Sequence, residues 1–178
     1  KNEDNIPHLI YATEWNRVDI INLEDCHNLT ADKSLIEGDA EESQAKYANP
    51  EKYGYHIWPS EFDYFYADLQ MSPDNKHFLS KGWSWGSSDS FYVFNIEDFV
   101  GNKRIKTIDV GNWEHDSRAA CWIDTNEIIV CCNAIIEEFD NADENNPLEI
   151  VHYQLIGEKF EQTKRTKVPE VADTNWEF

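Results

Sequence analysis

A short segment recurs in this chain, and its recurrence limits the architectures that the chain can adopt. Residues 22–25 (NLED) return as residues 95–98 (NIED), and each copy follows an apolar stretch, VDII in the first case and FYVF in the second. A weaker third copy, EIVHYQL at 149–155, aligns with SFYVFNI at 90–96. A further apolar segment precedes each copy: HLIYA, KHFLS and EIIVC. Repeated units of about sixty residues bury a shared core between neighbours, so the pattern predicts three similar units.

Within each unit the residues alternate in the manner of β-strands. The strand-like segments are rich in β-branched and aromatic residues and are bounded by turn residues. We predict strands at 8–15, 17–23, 63–71, 76–85, 89–96, 103–110, 118–123, 127–136, 148–156 and 159–168. Ala, Glu, Gln and Lys before Asn49 and Pro50 predict one short helix near 38–50. The acidic segment 137–147 reads as a solvated loop.

One unit carries a recognisable pattern. LQMSPDNKHFLSKGW, followed by SFYVFNIEDF, resembles a blade of a WD40-like or TolB-like β-propeller, in which a strand runs into Ser-Pro-Asp-Gly and then into two apolar strands. Asn75 stands at the glycine position and is the other residue that tolerates left-handed backbone geometry. The resemblance implies an all-β fold of about three propeller-like, four-stranded antiparallel units, with a β-sandwich or barrel as the alternative. We treat 1–178 as a single all-β domain, an incomplete or small propeller.

The charge balance is the strongest compositional signal. Fifteen Lys and Arg stand against thirty-five Asp and Glu, for a formal net charge of −20. A surface this acidic repels nucleic-acid phosphates and anionic lipids, so we expect neither nucleic acid nor membrane as a partner. It favours a basic protein partner.

The four cysteines show no CxxC and no regular spacing. Cys131 and Cys132 are adjacent on a predicted strand, so they point to opposite faces and one of them is expected to be buried. The opening residues do not resemble a signal peptide, and no apolar run reaches the length of a membrane span. We therefore expect a cytoplasmic protein.

Catalytic motifs are weak throughout, and we predict that the chain is not an enzyme. Residues 82–86 (GWSWG) spell GxSxG, but the nucleophile elbow needs a strand-to-helix turn, and here the motif lies between two strand-like segments. His115 stands between Glu114 and Asp116, yet adjacent loop residues rarely converge on one reacting atom. No zinc-ligand or calcium-loop spacing occurs, so we expect no metal and no cofactor.

Aromatic residues interleaved with acids suggest a docking surface for a basic protein. On the predicted strand 63–71, Tyr64 and Tyr66 share one face while Asp63 and Phe65 share the other, so these residues cannot all be buried. The predicted partner-binding residues are Trp58, Glu61, Asp63, Tyr64, Tyr66, Trp83, Trp85, Asp89, Glu114, Asp116, Glu137, Glu138, Asp140, Asp143 and Glu144.

In size, charge and lack of catalytic motifs the chain resembles the immunity proteins of bacterial toxin systems, including contact-dependent inhibition. That resemblance implies a protein that neutralises a basic toxin or nuclease by blocking its active-site cleft. Two alternatives remain. The chain is a propeller-type interaction scaffold or a fragment of one, or it is a carboxylate-dependent hydrolase.

Overall fold

The computed structural model describes residues 6–33, 64–84, 88–102, 105–111, 117–133 and 148–168, together with Glu51. In this part of the chain eleven strands form three antiparallel sheets, so the prediction of an all-β fold is confirmed. The two larger sheets each contain a row of four neighbouring strands, as predicted.

The first sheet is a two-stranded hairpin of β1 (His8–Glu14) and β2 (Arg17–Asn22). Trp15 and Asn16 form the turn between them. An isolated bridge between Ile21 and Asn28 adds a short third segment beside β2.

The middle sheet contains β3 (Tyr64–Phe65), β4 (Gln70–Met71), β5 (His77–Ser84), β6 (Ser88–Asn95) and β7 (Ile108–Asp109). Its strand order is β3-β5-β6-β7, and β4 also pairs with β5. Two strand predictions need correction here. The segment 63–71 is broken into β3 and β4, since Asp68 adopts a left-handed φ of 43°. Of the segment 103–110, only Ile108–Asp109 is a strand among the described residues.

The third sheet contains β8 (Ser117–Asp124), β9 (Glu127–Asn133), β10 (Leu148–Ile156) and β11 (Lys159–Lys167) in consecutive order. Each strand pairs with the next along the chain, which makes the sheet a simple meander. Within β9, Cys132 is 1% exposed while Cys131 is half-buried. The expectation that one of these two adjacent cysteines is buried is therefore confirmed.

The internal repeat corresponds to the central hairpin of each unit: β1-β2, β5-β6 and β9-β10. The side chains of the two repeated asparagines, Asn22 and Asn95, each accept a hydrogen bond from a backbone N–H that follows in the chain. The Oδ1 atom of Asn22 accepts a hydrogen bond from the Glu24 N–H at 2.8 Å, and that of Asn95 accepts one from the Asp98 N–H at 3.0 Å. In the turn before β5, Asn75 has a φ of 60°, so the left-handed geometry expected at this position is confirmed.

Helix α1 (Ile96–Gly101) follows β6 directly and was missed by the sequence interpretation. Its local signals are ordinary ones: Asn95 caps the first turn, and Glu97 and Asp98 place negative charge where the helix dipole favours it. The predicted helix near 38–50 lies outside the described residues. No helix within the described ranges is long and apolar enough to cross a membrane.

The last turn of α1 has no basic residue of its own, and a distant lysine supplies the missing donor. The Lys33 ammonium donates to the carbonyl oxygen of Asn102 at 2.8 Å and to that of Phe99, and it lies 4.1 Å from the centre of the Phe99 ring. Lys33 is 8% exposed, and burial lowers its pKa to about 8, although the Asp98 carboxylate opposes that shift.

Two cores lie on opposite faces of the middle sheet. Phe78 and Phe94 face the first hairpin, while their chain neighbours Leu79 and Val93 face the third sheet. All four side chains are fully buried, which explains why apolar residues are adjacent at these positions, Phe78 with Leu79 on β5 and Val93 with Phe94 on β6. The first core contains Val18, Ile20, Tyr64, Tyr66, Phe78, Phe94 and Phe99, and the second contains Leu79, Phe91, Val93, Val110, Ala120, Ile128, Val130, Cys132, Val151 and Tyr153.

Candidate partner-binding site

Three aromatic rings form a continuous row on the surface, which we call the aromatic row: Trp15, Phe65 and Trp83. The Phe65 and Trp83 rings are stacked with centroids 4.0 Å apart and planes 6° from parallel. The Trp15 ring lies 4.6 Å from the Phe65 ring at a tilt of 34°. Trp15 is 40% exposed and Trp83 is 36% exposed, so the row presents large aromatic area to solvent.

Strand register builds the row. Phe65 on β3 is the pairing partner of Trp83 on β5, and Trp83 is in turn the partner of Asp89 on β6. Directly opposed residues on antiparallel strands share a face of the sheet. The register therefore places an acidic position next to the outer tryptophan.

On the opposite face of the same strands, the side chain of Tyr64 is buried. Its hydroxyl accepts a hydrogen bond from the Gly82 N–H at 2.8 Å, and it lies within donating distance of the carbonyl oxygens of Ser80 (2.9 Å) and Ser90 (2.8 Å). Burial raises the pKa of the Tyr64 phenol, so the hydroxyl keeps its proton across the neutral range. Tyr64 thus ties three backbone positions together directly beneath the exposed rings.

Gly82 is required at this point because the tyrosine approaches so closely. A Cβ atom at residue 82 would lie 2.0 Å from the Phe65 carbonyl oxygen and 2.5 Å from Cζ of Tyr64. The first glycine of GxSxG is thereby explained by packing. The described residues of the motif, 82–84, end β5, and the next element that the structure describes is the strand β6, whereas a nucleophile elbow leads into a helix.

Trp15 is held at its end of the row by the β1-β2 hairpin. Its carbonyl oxygen accepts a hydrogen bond from the Tyr66 N–H at 2.8 Å, which joins the hairpin turn to the chain after β3. Below the turn, the Asp19 carboxylate accepts from Thr13 at 2.9 Å and from Thr30 at 3.0 Å. These contacts lock the turn that carries the first ring.

The Asp19 carboxylate is 5% exposed and electrostatically satisfied. Burial by itself would raise its pKa, but hydrogen bonds from the Thr13, Asn28 and Thr30 side chains and the charge of Arg17 lower it below the usual value. The Arg17 Nε atom lies 3.3 Å from the carboxylate. The Arg17–Asp19 ion pair stabilises the hairpin. Because its two charges cancel, it adds no net charge beside the aromatic row.

A second ion pair close to the row, Lys81 with Asp68, is also neutral as a unit. Glu14 is exposed in the strand that leads into the Trp15 turn. In the register of β5 with β6, a further acidic position, Asp89, is opposite Trp83.

The structure sorts the predicted site residues into three groups. Trp83 is exposed, and Asp89 is its pairing partner on β6. Tyr64 and Tyr66 are 1% and 7% exposed and belong to the first core, which corrects their assignment to a docking surface. The others lie outside the described residues: Trp58, Glu61, Asp63, Trp85, Glu114, Asp116, Glu137, Glu138, Asp140, Asp143 and Glu144.

Two members of the row, Trp15 and Phe65, were missed. A signal existed for each of them. Phe65 alternates with the two tyrosines and therefore faces away from the core that buries them. Trp15 lies at the end of a predicted strand, in a two-residue turn, where a large ring has little chance of full burial.

No group of three or more His, Cys, Asp or Glu side chains suited to hold a metal ion occurs among the described residues. Comparison with known proteins assigns no relative: no protein-family model, no curated protein and no solved structure matches this chain.

Proposed function

We propose that this chain is a non-enzymatic binding domain whose partner is a basic protein, and that the aromatic row is the centre of its interface. The observation that carries the proposal is the row itself, three aromatic rings in contact at the surface of a chain with a net charge of −20.

The rings have the properties of binding hot spots. Tryptophan and other aromatic anchors supply large contact area and lose little conformational entropy on binding, and they are enriched among residues that dominate interface energies. Contact with the Phe65 ring holds Trp15 and Trp83 in place before any partner arrives. A pre-ordered surface binds more tightly than one that must be ordered on contact.

The charge selects the kind of partner. An acidic protein attracts cationic proteins from a distance, and such steering raises association rates towards about 10⁸–10⁹ M⁻¹s⁻¹ at low salt. Exposed aromatic faces also bind arginine and lysine side chains by cation–π attraction. Both effects favour a Lys- and Arg-rich surface.

Within this class, we propose a cytoplasmic immunity protein that blocks the cleft of a basic toxin or nuclease. The fast association just described suits an inhibitor that must reach its toxin before damage occurs. The three units would then be propeller-like blades. Supporting this are the four-stranded meander and the covering of the middle sheet on both faces.

The experiment compares wild-type protein with Trp83→Ala and Trp15→Ala as immobilised baits at low and high salt, with captured proteins identified by mass spectrometry. Ile123→Ala is the matched control, since Ile123 is 46% exposed but lies on the third sheet. The expected partner is basic, binds wild type and the control equally, and loses about thirtyfold or more in affinity with either tryptophan variant.

The purified pair then distinguishes inhibition from scaffolding. If the partner is a nuclease or another toxin, the wild-type protein should abolish its activity at a one-to-one ratio, and Trp83→Ala should restore it. A partner that binds through the row but keeps full activity would replace the inhibitor with a scaffold. Binding that is insensitive to both tryptophans and to salt would remove the basis of the proposal.

A further inference from the structure

A second surface feature lies away from the aromatic row, between the outer strands of the two larger sheets. A cavity of about 430 Å³ opens between β7 and β11, and we call it the inter-sheet cavity. Its wall includes Ile108, Asp109, Gly111, Tyr153 and Phe160. This volume is within the range of ligand-binding pockets, and it is sufficient for a ligand the size of an amino acid.

Asp109, one of the carboxylates in the inter-sheet cavity, has no counter-charge within the described ranges. The two other charged wall residues are paired: Glu158 with Lys106 at 2.9 Å, and Lys159 with Glu161 at 2.6 Å. No described residue forms an ion pair with Asp109 or donates a hydrogen bond to it. Desolvation by the cavity wall raises the pKa of Asp109, even though the side chain reaches solvent at the mouth.

Tyr153 adds a polar group to the same cavity. The side chain is 6% exposed, yet it lines the cavity, and its hydroxyl has no hydrogen-bond partner among the described residues. Gly111, at a φ of 84°, keeps this position open, because a Cβ there would lie 2.9 Å from the Tyr153 hydroxyl oxygen. The Tyr153 hydroxyl is therefore open to the solvent of the cavity, where it can accept a hydrogen bond from a bound donor.

We propose that the inter-sheet cavity binds a guanidinium group of the arginine type, with Asp109 as its counter-ion and the Tyr153 hydroxyl as a second acceptor. A guanidinium is planar and weakly hydrated, it forms paired hydrogen bonds to a carboxylate, and it stacks on aromatic rings. The cavity offers each of these contacts, since Phe160 and Tyr153 are aromatic and Ile108 is an apolar wall for the alkyl stem. This site shares no residue with the aromatic row and does not depend on the function proposed for it.

The test is titration of the ¹⁵N-labelled protein with N-acetyl-arginine amide, followed by the amide resonance of Gly111. N-acetyl-citrulline amide is the matched probe, since it has the same shape without the charge. The arginine probe should give saturable shifts and the citrulline probe should bind at least about tenfold more weakly. A blocked Gly-Arg-Gly peptide distinguishes the sources: tighter binding of the peptide assigns the guanidinium to a protein chain, and equal binding assigns it to a small molecule.

Three variants complete the design. Asp109→Asn should weaken binding of the arginine probe at least about tenfold, and Tyr153→Phe, which keeps the ring, should weaken it several-fold. Glu24→Gln removes an equal charge from an exposed site in the first unit and should leave binding unchanged. Equal affinity for arginine and citrulline probes, or wild-type affinity in a folded Asp109→Asn protein, would overturn the proposal.

Discussion

Replacement of Gly82 by alanine tests how the aromatic row is built. The added Cβ would lie 2.0 Å from the Phe65 carbonyl oxygen and 2.5 Å from Cζ of Tyr64. Neither neighbour can yield easily, because one is backbone of the adjacent strand and the other is a ring that is 1% exposed. β3 and β5 would have to separate by about 1 Å or more to relieve the overlap.

The cost follows from two contributions. Overpacking of a filled site costs about 1–3 kcal/mol, and each hydrogen bond lost at the Tyr64 hydroxyl adds about 1 kcal/mol. We expect Gly82→Ala to lower the free energy of unfolding by about 3 kcal/mol, a large share of the roughly 5–15 kcal/mol available to a domain. For a chain of this length the melting temperature should fall by about 6–12 °C.

Urea unfolding followed by tryptophan fluorescence measures this loss. Gly101→Ala is the control, since nothing lies within 4 Å of a Cβ at that position and alanine should be neutral or stabilising by up to about 1 kcal/mol. If Gly82→Ala cost less than about 1 kcal/mol at an unchanged denaturant slope, the close approach of Tyr64 would be refuted. The packing explanation of the GxSxG glycine would fail with it.

Three further outcomes are expected. Tyr64→Phe should lower the free energy of unfolding by about 1–3 kcal/mol, because the Gly82 N–H loses its acceptor in a buried site; urea unfolding tests this, and a loss below about 0.5 kcal/mol would contradict it. Burial lowers the pKa of Lys33 to about 8 in the folded state, against 10.5 in the unfolded chain, so stability should rise with pH between about 8 and 10.5 and stay level below 8. Lys33→Met should remove that rise, so parallel wild-type and variant curves across this window would argue against it. Glu61→Gln and Asp143→Asn should slow association with the basic partner and weaken its salt dependence with little change in dissociation, as measured by surface plasmon resonance at two salt concentrations; unchanged association rates would exclude these carboxylates from steering.

The alternation of side chains along a strand predicts which residues of the candidate site share a face, but it does not predict which face is exposed. That Tyr64 and Phe65 face opposite sides can be read from their adjacency. Which of the two sides is buried depends on the first hairpin, whose Val18 and Ile20 pack against the face that carries Tyr64. The assignment of that tyrosine to the surface failed for this reason.

The sequence by itself determined the local elements: strands with a two-residue period, the repeated hairpins, and the left-handed turn at Asn75. These depend on side-chain alternation and turn chemistry, which act between near neighbours in the chain. Only the tertiary structure decided that the Trp15 ring contacts Phe65 and that Lys33 completes the end of α1, because each contact joins segments far apart in sequence. Such contacts form only when whole sheets pack against each other. The residue pattern along one strand does not specify which sheet will cover it.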